Sequence, residues 1–199
     1  AEVVGVELDG EGIVPESLEA ACRRHRPQIL CLTPEAQNPT TVKMGAERRA
    51  QIVVIARAHD LQIIEDGCYS SANRNLPSLH ALAPERVWHV GSLSKTISAA
   101  LRFGFIVCPQ GMGEAGRLTV QHSCFALPLP ISEMVLHLMQ TGVADQLRLT
   151  TQLETQRRVA MVVDRLGGFD LQWQPGLPIT WLQLPSGWRA SAFTRMAES

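Results

Sequence analysis

Lysine is nearly missing from this chain: of its 18 basic residues only Lys43 and Lys95 are lysines, and the rest are arginines. Tyrosine is scarcer, with Tyr69 alone among 199 residues. Excess charge is lacking too, since the formal net charge is −1. That leaves no electrostatic footprint for nucleic acid, so DNA could be reached only through a domain outside this chain. The five cysteines (Cys22, Cys31, Cys68, Cys108, Cys124) are odd in number, scattered and without a C-x-x-C pair. They exclude a disulfide framework and a zinc site and fit reduced thiols in a cytoplasmic protein. The six histidines show no pair at metal spacing, so no metal is expected, and His89 and His122 read as structural. No apolar run approaches the ~18 residues of a membrane span, and the opening AEVVGVELDGEG lacks the charged-then-apolar pattern of a signal peptide.

What the chain does have is apolar content of 45% against 19% charged residues, the balance of a soluble globular protein with a sizeable core. Short apolar runs alternate with helical patterns as far as about residue 110, the signature of βαβ units on a mostly parallel sheet. Strands are expected at VVGVEL (3–8), QILCL (28–32, buried), LQIIED (61–66), RVWHVGS (86–92) and FGFIVC (103–108). Helices are expected at 15–25, where Pro15 marks the first turn, and at 45–60. Long helices follow at roughly 110–122, 129–141 and 145–166, the last stopped by Gly167-Gly168. A strand pair around FDLQW and PITWLQLP and a helix in SAFTRMAES close the chain, with Trp173, Trp181 and Trp188 expected to pack this last part. The arginine-rich RRVAMVVDR has the spacing of a solvated helix side.

Three polar clusters sit at the carboxyl ends of three expected strands: TPEAQNPT, EDGCYS and SLSK. In open parallel sheets the loops beyond those ends form the ligand crevice, so the clusters should converge. They bring Asn38, Asp66, Tyr69, Ser92, Ser94, Lys95 and, seven residues on, Arg102. A lysine amine can form a Schiff base, an aspartate can hold a pyridinium N–H, tyrosine and asparagine can donate to a phenolate oxygen, and serine with arginine can bind phosphate. The set suits pyridoxal 5′-phosphate. Glu65, next to Asp66, reads as structural, because successive strand residues face opposite ways.

These residues resemble the fold-type I aminotransferases of class I/II, through Asn38-Pro39, Asp66 with Tyr69 three residues later, and Ser92-Leu93-Ser94-Lys95 followed by Arg102. More narrowly, PEAQNPTTVKMGAERR, IIEDGCY, APERVWHVGSLSKTISAALRFGFIVCP and LPITWLQLPSGW look like the aminotransferase-like domain of the MocR branch of GntR-type transcription regulators. One departure is Ala99-Ala100 where that branch commonly has Pro-Gly. The resemblance implies an α/β fold, the three-layer α/β/α large domain of the aspartate aminotransferase type. Residues 1–142 would belong to the large cofactor-binding domain, 143–168 to a long interdomain helix, and 169–199 to the start of a smaller domain. It implies that the family fold extends beyond both ends of the chain and works as a homodimer.

Residue by residue, the resemblance implies that Lys95 forms the Schiff base with the cofactor and that Asp66 pairs with the pyridine nitrogen. Asn38 and Tyr69 would donate to the ring oxygen, Ser92 and Arg102 would take part of the phosphate, and Ser94 would also belong to the cofactor site, with Lys95, Asp66 and Tyr69 the catalytic group. Two functions stay open. One is the effector-sensing domain of a regulator, detecting an amine or amino acid; the other is a free-standing aminotransferase that turns an amino acid over.

Overall fold

A computed structural model describes residues 2–69, 76–124 and 127–198. The chain opens with a two-residue hairpin, β1 (Leu8–Asp9) paired antiparallel with β2 (Gly12–Ile13). Helix α1 (Pro15–His25) begins on the proline, carries Glu16 in its first turn and Arg23, Arg24 and His25 in its last, and so matches the helix dipole at both ends. Strand β3 (Ile29–Leu32), helix α2 (Ala46–Ala58), strand β4 (Gln62–Asp66), the short helix α3 (Leu79–Leu82) and strand β5 (Val87–Ser92) follow. Strand β5 runs directly into the short helix α4 (Leu93–Thr96), then a 3-10 turn (Ala99–Leu101) and strand β6 (Gly104–Val107). Three longer helices come next, α5 (Gly113–Cys124), α6 (Leu129–Gln140) and α7 (Val143–Leu166), and then the antiparallel pair β7 (Leu171–Trp173) and β8 (Thr180–Leu182) and helix α8 (Ala190–Ala197).

The central sheet has the order β3-β4-β5-β6, with the first three strands parallel and β6 antiparallel to β5. One face packs on α1 and α2: Leu30, Leu32, Ile63 and Val87 meet Leu18, Cys22, Ile52, Val53 and Ala56 in the larger core cluster. A second cluster joins Leu93, Ile97 and Leu101 to Val135 of α6 and Ala144 of α7. It seats the short helix that carries Lys95.

Three expectations need correction. No strand forms over 3–8; only Leu8 and Asp9 enter a ladder, and Val3 is 91% exposed, because apolar residues without a neighbouring strand have nothing to pair with. The strand at 28–32 is not buried throughout: Leu30 and Leu32 are buried, whereas Ile29 and Cys31 are exposed, since β3 is the sheet edge and the helices α1 and α2 cover one face. Trp173 and Trp188 remain over 40% exposed; Trp188 meets Phe193 of α8 edge-on, with ring centroids 6.4 Å apart. Among the described residues no helix is long and apolar enough to cross a membrane.

Candidate functional site

The parallel register puts three strand ends level. Leu32 lies opposite Glu65, Asp66 opposite Val90, and the chain leaves β5 two residues later at Ser92. The polar clusters that follow therefore leave the sheet on one side. At the end of β4 the alternation of the pleat separates two carboxylates. Glu65 is 1% exposed and turns toward α3, where it accepts the backbone N–H groups of Leu79 (2.9 Å) and His80 (3.0 Å) and meets His89 Nδ1 at 3.0 Å. Burial alone would raise this carboxyl, but the hydrogen bonds from His89, Leu79 and His80 outweigh it and hold it below its ordinary range. Asp66 turns the other way into a cavity of about 260 Å³, which Asn38, Cys31, Leu32, Ile13 and Met44 also line.

Asp66 also organises the turn after it. Its Oδ1 accepts the Cys68 N–H at 2.9 Å, and Gly67 donates to Val90 O at 2.8 Å. A Cβ on Gly67 would stand 2.5 Å from His89 Cε1, so only glycine lets β4 end this close to the histidine. Burial, and after it the neighbouring Asp66 carboxylate, pushes the Cys68 thiol up to about 11, with Lys95 pulling the other way. Near neutral pH Cys68 is thus held as the neutral thiol, in the turn that Asp66 organises.

Asn38 stands exposed on the loop 34–44, before a cis peptide bond to Pro39. Gln37 folds the tip of this loop: it donates its N–H to Val42 O at 2.9 Å and accepts from Thr41 N at 2.7 Å, and Thr41 takes the left-handed conformation, φ 64°. The carbonyl of Thr41 also accepts from Gln174 Nε2, which ties the segment after β7 to the Asn38 loop. Beneath the loop lies Arg49, wholly buried.

Ser92 ends β5 and caps α4, its Oγ accepting the Ser94 N–H at 3.1 Å, while Thr96 Oγ1 donates back to Ser92 O at 2.9 Å. These bonds set the turn from which Lys95 projects, exposed, with its Nζ 5.6 Å from the centroid of the Tyr69 ring. Lys43, by contrast, is paired with Glu35 at 3.3 Å. Where Pro-Gly was absent from the sequence, the chain turns by other means: Ser98 Oγ accepts Ala100 N–H at 3.3 Å, and Arg102 itself takes the left-handed conformation, φ 46°. Arg102 is exposed and, among the described residues, has no hydrogen-bond or ion-pair partner.

The structure thus brings Asn38 and Asp66 to one cavity and Lys95 to Tyr69, with Cys68 in the field of both Asp66 and Lys95. No contact among the described residues draws Arg102 to the others; it caps the 3-10 turn that packs on α4, the helix of Lys95. The donor set (an amine, a carboxylate, an amide, a phenol, two hydroxyls and a guanidinium) fits a phosphorylated pyridine aldehyde. A larger hollow of about 880 Å³ between β6 and α5 is lined by Trp88, Phe105, Ile106 and Val120, and none of the candidate residues lines it. Arg49 and Cys68 were missed by sequence reasoning; the tandem Arg48-Arg49 gave no sign of which one turns inward.

Solved structures decide the relationship. The α-aminoadipate aminotransferase LysN of Thermus thermophilus, solved with N-(5′-phosphopyridoxyl)-L-leucine, superposes with a TM-score of 0.81 at 26% identity, over 98% of this chain and 53% of that one. The chain is a fold-type I aminotransferase homologue. Among curated relatives of this homologue, the HTH-type transcriptional regulator YdeF of Bacillus subtilis is 30% identical over 98% of this chain and 43% of its own length. The 2-aminoadipate transaminase of Thermus thermophilus is 28% identical over 94% of this chain and 50% of its own length. The homologue therefore spans about half the length of the curated relatives it matches. No family model matches it.

Proposed function

We propose that this chain is the pyridoxal-phosphate-binding part of a MocR/GntR-type transcription regulator, in which it senses an amine or amino acid. The observation that carries the reading is Lys95, set 5.6 Å over the Tyr69 ring at the strand ends where Asp66 and Asn38 line one cavity. When bound, the cofactor supplies an aldehyde for amines and an electron-withdrawing ring. Lys95 is the amine that would hold the aldehyde carbon until a ligand amine displaces it. Asp66 would keep a proton on the pyridine nitrogen through a charge-assisted bond. Asn38 and Tyr69 would donate to the ring oxygen, and Ser92, Ser94 and Arg102 would grip the phosphate. Residues 1–142, the helix 143–168 and the segment 169–199 are proposed as large domain, interdomain helix and start of a small domain, in a cytoplasmic homodimer. DNA contact would belong to another domain, because the chain itself carries a charge of only −1.

The transaminase relative supports a second reading, a free-standing aminotransferase acting on an amino acid, with Lys95 also moving the proton between substrate and cofactor. The full-length protein separates the two. Borohydride reduction of the holoprotein followed by peptide mapping should place the pyridoxyl group on Lys95; a label on Lys43 would refute the site. DNA binding that responds to amino acids, without steady-state keto-acid production, is the expected result. Multiple turnovers with no DNA binding would give the second reading the better claim.

A further inference from the structure

Among the described residues Arg49 is the largest wholly buried side chain, and every donor on it is aimed at the base of the Asn38 loop or the segment beside it. Its Nε donates to Met44 O at 3.0 Å and its Nη2 to Pro34 O at 3.3 Å, so one guanidinium holds both ends of the loop. Nη2 also meets Glu35 Oε1 at 2.7 Å, and Nη1 donates to Pro77 O at 2.8 Å. Pro77 leads into α3, whose first N–H groups are held by Glu65, the neighbour of Asp66 on β4. A chain of short contacts thus runs from the Asn38 loop through Arg49 and Pro77 to the strand end bearing Asp66. A planar fork with donors in several directions is required for this; an ammonium, a single point of charge, cannot reach all four acceptors at once.

We propose that Arg49 is a positioning residue that fixes where Asn38 stands relative to Asp66. The inference rests on the reading above, in which Asn38 donates to the ring oxygen of bound pyridoxal phosphate. Donation there draws negative charge away from the proton shared with the Lys95 nitrogen and lowers the pH at which that proton leaves. A displaced loop weakens the donation and moves the midpoint to higher pH. An arginine that merely held the fold together would change stability and leave the midpoint alone.

The test uses the full-length protein loaded with pyridoxal phosphate, reading the pH midpoint of its visible absorption band, its cofactor dissociation constant and its thermal midpoint. Arg49→Lys should raise the pH midpoint by about 0.5–1 unit, the size of one weakened hydrogen bond. Asn38→Ala should shift it in the same direction, and the double variant should shift it no further than Asn38→Ala alone, since both changes act on one donor. Arg86 donates to Ala56 O and Leu61 O at the opposite end of the sheet. Arg86→Lys should therefore lower the thermal midpoint without moving the pH midpoint. An unmoved midpoint in Arg49→Lys, or shifts that add in the double variant, would overturn the proposal. Should Arg49→Lys not fold, Glu35→Gln loosens the same cluster and should produce a smaller shift of the same sign; no shift there overturns it equally. A wild-type protein with no cofactor band, or with the label off Lys95, would instead defeat the underlying reading.

Discussion

Lys43 has its charge matched by Glu35, whereas Lys95 faces the ring of the only tyrosine. That contrast was legible in the sequence, because serine flanks Lys95 at a strand end and Lys43 lies in an ordinary polar stretch. Asp66 and Asn38 were legible for the same reason: their spacing from strand ends fixes the side of the sheet on which they emerge. Arg49 was not legible. Apolar residues run unbroken from Ile52 to Ile55, yet Val54 is 65% exposed, so the helix pattern does not reveal which of two adjacent arginines is the inner one. Cys68 yields a prediction at this scale. With its thiol pushed up to about 11, almost none of it is thiolate at neutral pH, and thiolate is the species that alkylates. Iodoacetamide should label Cys68 slowly at pH 7.5 and faster as the pH rises; Asp66→Asn should speed it by removing a cause of the shift. Fast labelling of Cys68 in the unaltered protein at neutral pH would contradict this.

Strand β4 divides its labour by pleat: one carboxylate inward for the fold, the next outward for the site. Replacing Glu65 by Gln leaves a buried group facing three donors with a single acceptor oxygen, and should cost about 3 kcal/mol in chemical denaturation. The pH dependence has a fixed sign. Glu65 is held below its ordinary value of 4.5, so its stabilisation is complete above that value and is lost as the pH falls through the lowered one. The Glu65→Gln variant should lose that part of the acid dependence. At the turn itself, Gly67→Ala forces the His89 ring aside and should destabilise by about 1–3 kcal/mol, whereas Gly10, with open space around its Cβ position, should tolerate alanine. Central and parallel elements were readable from periodicity alone. The burial of the edge strand β3 and the fate of the segment 3–7 were not, because burial on a sheet depends on what lies on each face and beside each edge, which one strand's own residues do not record.

Across the whole chain, the two ends of the site rest on different foundations. Asp66 and the Asn38 loop sit over the larger core cluster, whereas Lys95 depends on the smaller one between α4, α6 and α7, reinforced by the bond from Thr151 Oγ1 to Ile97 O at 3.2 Å. Leu101→Ala should cost about 3 kcal/mol and loosen the Lys95 side selectively. Amide exchange should quicken in 93–101 and stay unchanged in 62–66; equal quickening in both would show the clusters to be one unit. The left-handed Arg102 bears on the chain's history under selection. A side chain in that conformation is disfavoured by roughly 1–2 kcal/mol, and glycine escapes most of that at some entropic cost. A library screened only for heat tolerance should therefore accumulate Gly at 102 and, if the proposed phosphate grip is right, steadily lose cofactor retention. On that reading, the residue is one that a search for robustness would discard and a requirement for ligand would keep.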